Sequence, residues 1–148
     1  MTSLAVTLTV DIGAPRHTVW TTLTDPALVT LWFSERTEID LRPGGTATFY
    51  FDGFGEFRAI VEEVERDNAV AYRWAQDTDR EPTLGNSTVA RFTLEDLPIG
   101  TRVTVTETGW EALGKTDEAI AEDMANNARG WVRELDELKA LLEKQDSL

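Results

Sequence analysis

Glu107 ends an alternating run, Val103, Val105, Glu107, in the stretch GTRVTVTETGW. Alternation of period two puts it on the strand face that carries the two valines, the face turned to a core. A carboxyl there has two chemical uses: it orients a polar group of a ligand, or it acts as an acid or base. The alternative is a carboxylate at the end of the sheet, in water, because the strand stops at Gly109. Asn127 lies near the apolar stripe of the last helical segment, one turn from Met124 and Trp131. It either hydrogen-bonds a ligand or fixes the helix to a strand carbonyl. Met124 is flexible and suits an adaptable pocket wall, or plain core. Other chemistry is poorly served. His17 is the only histidine, too few for a histidine-based zinc or iron site, and no motif sets a serine beside it. Glu62, Glu63 and Glu65 are neighbours along a strand and are expected to split between its faces as a solvated edge. Gly44-Gly45 is a hairpin turn, not a phosphate loop. Arg73 has the parity opposite to Tyr72 and Trp74 and is expected to face water. No metal and no cofactor is expected.

The aromatic residues are the second signal. DLRPGGTATFYF places Phe49 and Phe51 on one strand face with the small Ala47. Tyr72 and Trp74 share a face of a later strand, and Phe92 shares one with Ala90. Large rings mixed with alanines either fill a core or leave a gap lined by π-faces. Trp32 and Phe33 are placed to cover one mouth of such a gap, and Trp110 the other. The candidate pocket residues are therefore Trp32, Phe49, Phe51, Tyr72, Trp74, Phe92, Glu107, Met124, Asn127 and Trp131.

These residues must be held by a definite set of elements. Leu4, Val6, Leu8, Val10 and Ile12 alternate as a half-buried first strand. Val19, Trp20 and Leu23 follow at helical spacing. Asp25-Pro26 reads as a helix cap with proline at the first position, opening a second short helix through Leu28, Leu31 and Trp32. Six strands joined by hairpin-sized turns come next. In one of them Phe57, Ala59 and Val61 share a parity that Val64 breaks, so a bulge is expected near Ile60-Val61. Thr116 then caps an amphipathic helix to about Lys144, its stripe formed by Ile120, Met124, Ala128, Trp131, Leu135, Leu138 and Leu142. Gly130 inside it marks either a close packing contact or a bend. An antiparallel sheet with one dry face must bury that face on the helix stripe.

The chain has 148 residues, the expected size of a single domain spanning 1–148, and no cysteine, so neither disulfides nor thiolate chemistry. A net charge of −13 repels nucleic acids and anionic membranes, which leaves both as poor partners. No basic segment precedes an apolar one at the N-terminus, and no apolar run approaches the roughly 20 residues of a membrane span. A cytoplasmic protein is the expectation.

Five stretches in this order, VWTTLTDPALVTLWF, DLRPGGTATFYF, AVAYRW, GTRVTVTETGW and GWVRELDELKALL, resemble the START-like or SRPBCC superfamily. Within it the chain looks like the family named for the activator of the heat-shock protein 90 ATPase. The resemblance spans Leu4 to about Leu142. It implies an α+β helix-grip fold: a seven-stranded curved antiparallel sheet around a long C-terminal helix, with two short helices after the first strand. It also implies a cavity between sheet and helix, and no particular reaction. The favoured expectation is binding of a hydrophobic or aromatic small molecule without turnover. The alternatives are a cyclase or dehydratase acting on a polyketide-like substrate through Glu107, and a chaperone-associated interaction module. A homodimer is left open.

Overall fold

The computed structural model describes residues 4–146. Strand β1 (Ala5–Ile12) leads into α1 (Arg16–Thr24) and α2 (Pro26–Val29). Six strands follow: β2 (Arg36–Ile39), β3 (Thr46–Phe51), β4 (Gly55–Glu65), β5 (Ala69–Ala75), β6 (Ser87–Asp96) and β7 (Thr101–Thr108). A 3-10 turn at Trp110–Leu113 precedes the long helix α3 (Asp117–Asp146). The seven strands form one antiparallel sheet in the order β1-β7-β6-β5-β4-β3-β2, the curved sheet and gripping helix anticipated from the sequence.

Local chemistry explains the connections. The Asp25 carboxylate accepts from the Ala27 N–H at 3.0 Å, with Pro26 in the first helical position. Helix α2 stops at Val29, earlier than the sequence run through Trp32 suggests, and Phe33 is reached by a turn whose N–H donates to Val29 O at 2.9 Å. In Pro43-Gly44-Gly45, Gly44 has φ of +86°, and a Cβ on Gly45 would collide with the Asp40 carbonyl oxygen. Gly44 and Gly45 also extend the ladder, exchanging backbone hydrogen bonds of 2.8 Å with Val61.

The bulge lies between Val61 and Glu63, one residue later than expected. It keeps Val64 on the inner side with Val61. It also changes the fate of the acidic run: Glu62 and Glu63 do not split between faces. Both pair with outer-face arginines, Glu62 with Arg73 at 2.7 Å and Glu63 with Arg91 at 2.8 and 3.0 Å. The two hydrogen bonds from Arg91 hold the Glu63 carboxyl below its usual range.

The inner face carries the core. On β7 every second residue, Thr101, Val103, Val105 and Glu107, is fully buried. Helix α3 begins where Thr116 Oγ1 accepts from the Ala119 N–H at 3.2 Å, and it buries Ile120, Trp131, Leu135, Leu138 and Leu142. Its C-terminal half is tied to the end of β1: Lys139 Nζ donates to Asp11 O at 2.6 Å, and Gly13 N to Glu143 Oε2 at 2.9 Å. The helix runs unbroken through Gly130.

Candidate functional site

Glu107 is not in water at the sheet's end; none of its surface is exposed. Its register explains this. It faces Val6 of β1 on one side and Ala90 of β6 on the other, inside the sheet rather than at an edge. An acceptor-only carboxylate in that position needs donors, and four side chains supply them. Trp131 Nε1 donates to Oε1 at 2.9 Å. Trp74 Nε1 and Thr88 Oγ1 donate to Oε2 at 3.1 and 2.6 Å. Asn127 Nδ2 reaches both oxygens at 3.1 Å. Gln76 donates to Thr88 Oγ1 at 2.6 Å and extends this network towards the surface. The indole of Trp110 donates to the Glu107 backbone oxygen at 3.0 Å.

One carboxylate thus joins β5, β6, β7 and α3. It also sets two indoles side by side, since Trp74 and Trp131 lie 5.4 Å apart between ring centroids and 19° from parallel. Around them the rings are nearly continuous. Phe33 lies almost parallel to Trp131 at 6.0 Å and to Trp74 at 6.1 Å, and presents its edge to Phe49 and Phe51, both at 5.4 Å. Phe57 lies 6.1 Å from Trp74 and 5.7 Å from Phe51.

Two spaces result. An outer pocket of about 330 Å³ opens between the sheet and the middle of α3. Phe33, Phe51, Phe54, Phe57, Trp74 and Trp131 make its apolar walls; Gln76, Asn126, Asn127, Arg133 and Glu134 are polar groups around it, and Gly130 and Ala75 complete the lining. An added Cβ on Gly130 would meet nothing within 4 Å among the described residues, so this glycine leaves room at the pocket rather than permitting a tight contact or a bend. An inner void of only about 20 Å³ lies deeper, among Leu23, Val29, Trp32, Phe33, Phe49, Tyr72, Trp74, Ala90, Phe92 and Trp131. Most of the sheet–helix interior is therefore filled by rings.

The expected pocket residues divide accordingly. Phe51 and Asn127 line the outer pocket, Trp32, Phe49, Tyr72 and Phe92 the inner void, and Trp74 and Trp131 both. Glu107 and Met124 line neither; Glu107 holds the walls from behind, and Met124 packs on the core. Trp32 is buried, its indole donating to Thr22 O at 2.9 Å, so Phe33 rather than Trp32 stands at the mouth. Trp110 is fully buried and covers no mouth. The same sequence parity extends to further lining residues. Gln76 continues the series Tyr72, Trp74, and Phe57 that of Ala59 and Val61. Asn127, Gly130 and Glu134 recur at helical spacing, a polar continuation of the apolar stripe.

Two titratable groups in these spaces are shifted. Burial pushes the Tyr72 hydroxyl well above its usual value, and it has no hydrogen-bond partner among the described residues. The Glu134 carboxyl is pushed up to about 7, first by burial and then by the charge of Glu137, with Arg133 opposing. His17 pairs with Asp67 at 2.8 Å on the surface, away from both spaces. No cluster of three or more potential metal ligands occurs among the described residues.

The fold has close counterparts. Protein MLL2253 from Mesorhizobium loti superposes with a TM-score of 0.79 at 21% identity, over 95% of this chain and 98% of that one. The Aha1 dimer from Colwellia psychrerythraea superposes at 0.77 and 24%, over 95% and 96%. DynU16, a protein of the dynemicin biosynthetic locus, superposes at 0.74 and 24%, over 94% of this chain and 47% of that one. No curated protein matches the sequence. The family model described as Activator of Hsp90 ATPase homolog 1-like protein matches residues 13–143, nearly the whole chain, and the protein belongs to that family.

Proposed function

We propose that this protein binds a hydrophobic, aromatic small molecule in the outer pocket, without covalent chemistry. The observation that carries the reading is the pocket itself: about 330 Å³, walled by aromatic rings, with a glycine where the helix would otherwise fill it. That size and lining suit a small ligand. The Trp74 and Trp131 rings are fixed beforehand by Glu107, so little side-chain freedom is lost on binding. The likeness to DynU16, from a biosynthetic locus, is consistent with a polycyclic, polyketide-type ligand. Glu107 serves as a positioning residue: four side chains already occupy it, and it has no exposed surface for a substrate.

The test is a thermal-shift screen with flavonoids, polyketides, sterols and fatty acids, run beside Gly130→Leu. Ligand at a hundredfold its dissociation constant adds about 2.7 kcal/mol, a rise of roughly 5–10 °C for a chain of this size. Gly130→Leu places a side chain in the open space while improving helix propensity. The expected outcome is a shift for aromatic compounds that the variant loses although its own melting temperature is not lowered. A shift of equal size in the variant would overturn the outer pocket as the binding site.

A further inference from the structure

Phe33 shares with Trp74 and Trp131 a place on the lining of both the outer pocket and the inner void. It is carried on the turn after α2, not on the sheet or on α3. Its ring lies almost parallel to two indoles and edge-on to two phenylalanines, the surroundings a flat aromatic guest would choose. Beyond it, Tyr72 lines the inner void, 5% exposed, and its hydroxyl has no partner among the described residues. A buried hydroxyl without a partner carries a desolvation cost that persists until an acceptor arrives.

Water is a poor candidate for that acceptor. A void of about 20 Å³ has room for one molecule, but a buried water needs two to four polar partners. The other polar groups on the lining are committed: the Trp32 indole to Thr22 O, Trp131 to Glu107, and Trp74 to Glu107 and Thr88. The acceptor must therefore come attached to an apolar body that satisfies the surrounding rings.

We propose that a flat aromatic ketone, aldehyde or quinone displaces the Phe33 ring, lies against Trp74 and Trp131, and accepts a hydrogen bond from the Tyr72 hydroxyl through its carbonyl oxygen. This rests on the ligand-binding reading above and assigns that ligand a chemical class and a depth. Phe33 is then a plug that holds the ligand's place, and Tyr72 the group that selects a carbonyl over a hydrocarbon.

The probes are 2-acetonaphthone and 2-ethylnaphthalene, which share ring and chain shape and differ by the carbonyl. Affinities are measured by calorimetry on the full chain, its Tyr72→Phe variant and its Phe33→Ala variant. The wild type is expected to prefer the ketone by about tenfold, the worth of one well-made buried hydrogen bond. Tyr72→Phe should weaken the ketone alone and bring the two probes level. It removes a hydroxyl that has no partner among the described residues, so its melting temperature should not fall. Phe33→Ala should bind both probes more tightly, keeping the ketone preference, because no ring has to leave. Phe33→Leu carries the same test if the alanine variant does not fold.

Equal affinity for the two probes in the wild type, or a Tyr72→Phe loss shared by both, would overturn the inner subsite. If Gly130→Leu still abolished that binding, the outer-pocket reading would stand. Weaker binding of both probes to the Phe33 variants would make Phe33 a wall of the site rather than its plug, and would overturn the proposal. Binding of neither probe to the wild type or to Phe33→Ala would overturn both readings.

Discussion

Changing Glu107 to glutamine exchanges one acceptor oxygen for a donor among side chains that already donate. At least one of Trp74, Trp131 and Thr88 then faces an N–H instead of an oxygen. A buried donor left unpaired costs about 1–3 kcal/mol, so Glu107→Gln should lose on the order of 2–4 kcal/mol of stability in urea unfolding. Trp131→Phe is the finer probe, because it keeps most of the ring and removes only the N–H bonded to Oε1 at 2.9 Å. Asn127 still reaches that oxygen, so the loss should be about 1–2 kcal/mol, smaller than for Glu107→Gln. An equal or larger loss from Trp131→Phe would mean that ring packing, not the carboxylate, holds this indole. The inward direction of Glu107 was readable from the parity of Val103 and Val105. Its burial was not, because the donors that make burial tolerable come from 19 to 33 residues away. They meet only after β5, β6, β7 and α3 have assembled. Local pattern therefore identified the residue but left two surroundings open, and tertiary structure chose between them.

Among the elements, α3 has two halves with different work. Leu135, Leu138 and Leu142 are buried, and Lys139 and Glu143 hold that half on the end of β1. The stretch from Asn127 to Glu134 instead lies along the pocket, and Gly130 sits within it with open space before it. Gly130→Ala should therefore stabilise the protein by up to about 1 kcal/mol in urea unfolding, since helix propensity improves and nothing is struck. Destabilisation would mean that the helix approaches the sheet more closely at this point than the open space allows. The helix and its length were legible from the three- and four-residue recurrence of apolar side chains. The meaning of Gly130 was not, because periodicity reports which face is turned inward and nothing of what stands opposite. The bulge in β4 shows a similar limit. Parity required one inserted residue, yet its position at Glu62 depends on the backbone bonds that Val61 makes to Gly44 and Gly45. That one-residue difference decides that Glu62 and Glu63 both pair on the outer face.

For the whole molecule, the carboxyl groups set two opposing arms of a pH profile. Glu134 is raised in the folded protein from an ordinary value of 4.5 to about 7, so the folded state binds more protons than the unfolded state between those values. Stability falls wherever the folded state binds the extra proton and pH rises, so this contribution is present below about 4.5 and lost as pH climbs to about 7. Asp11, Glu63 and Glu143 are shifted the other way, each chiefly by a hydrogen bond from Arg102, Arg91 or Lys139. Their contributions are present above the ordinary carboxylate values and are lost as pH drops through their lowered ones. The two arms predict a melting temperature that peaks near pH 5 and declines on both sides. The net charge of −13 steepens the alkaline decline through self-repulsion, and this part is reduced by salt. Glu134→Gln separates the two causes. It should raise stability at pH 8 by on the order of 1–2 kcal/mol, leave pH 4.5 almost unchanged, and leave the salt dependence in place. Thermal unfolding of both proteins from pH 3 to pH 9, at low and high salt, reads all of this. An unchanged alkaline arm in the variant would assign the decline to global charge alone and remove Glu134 as its source.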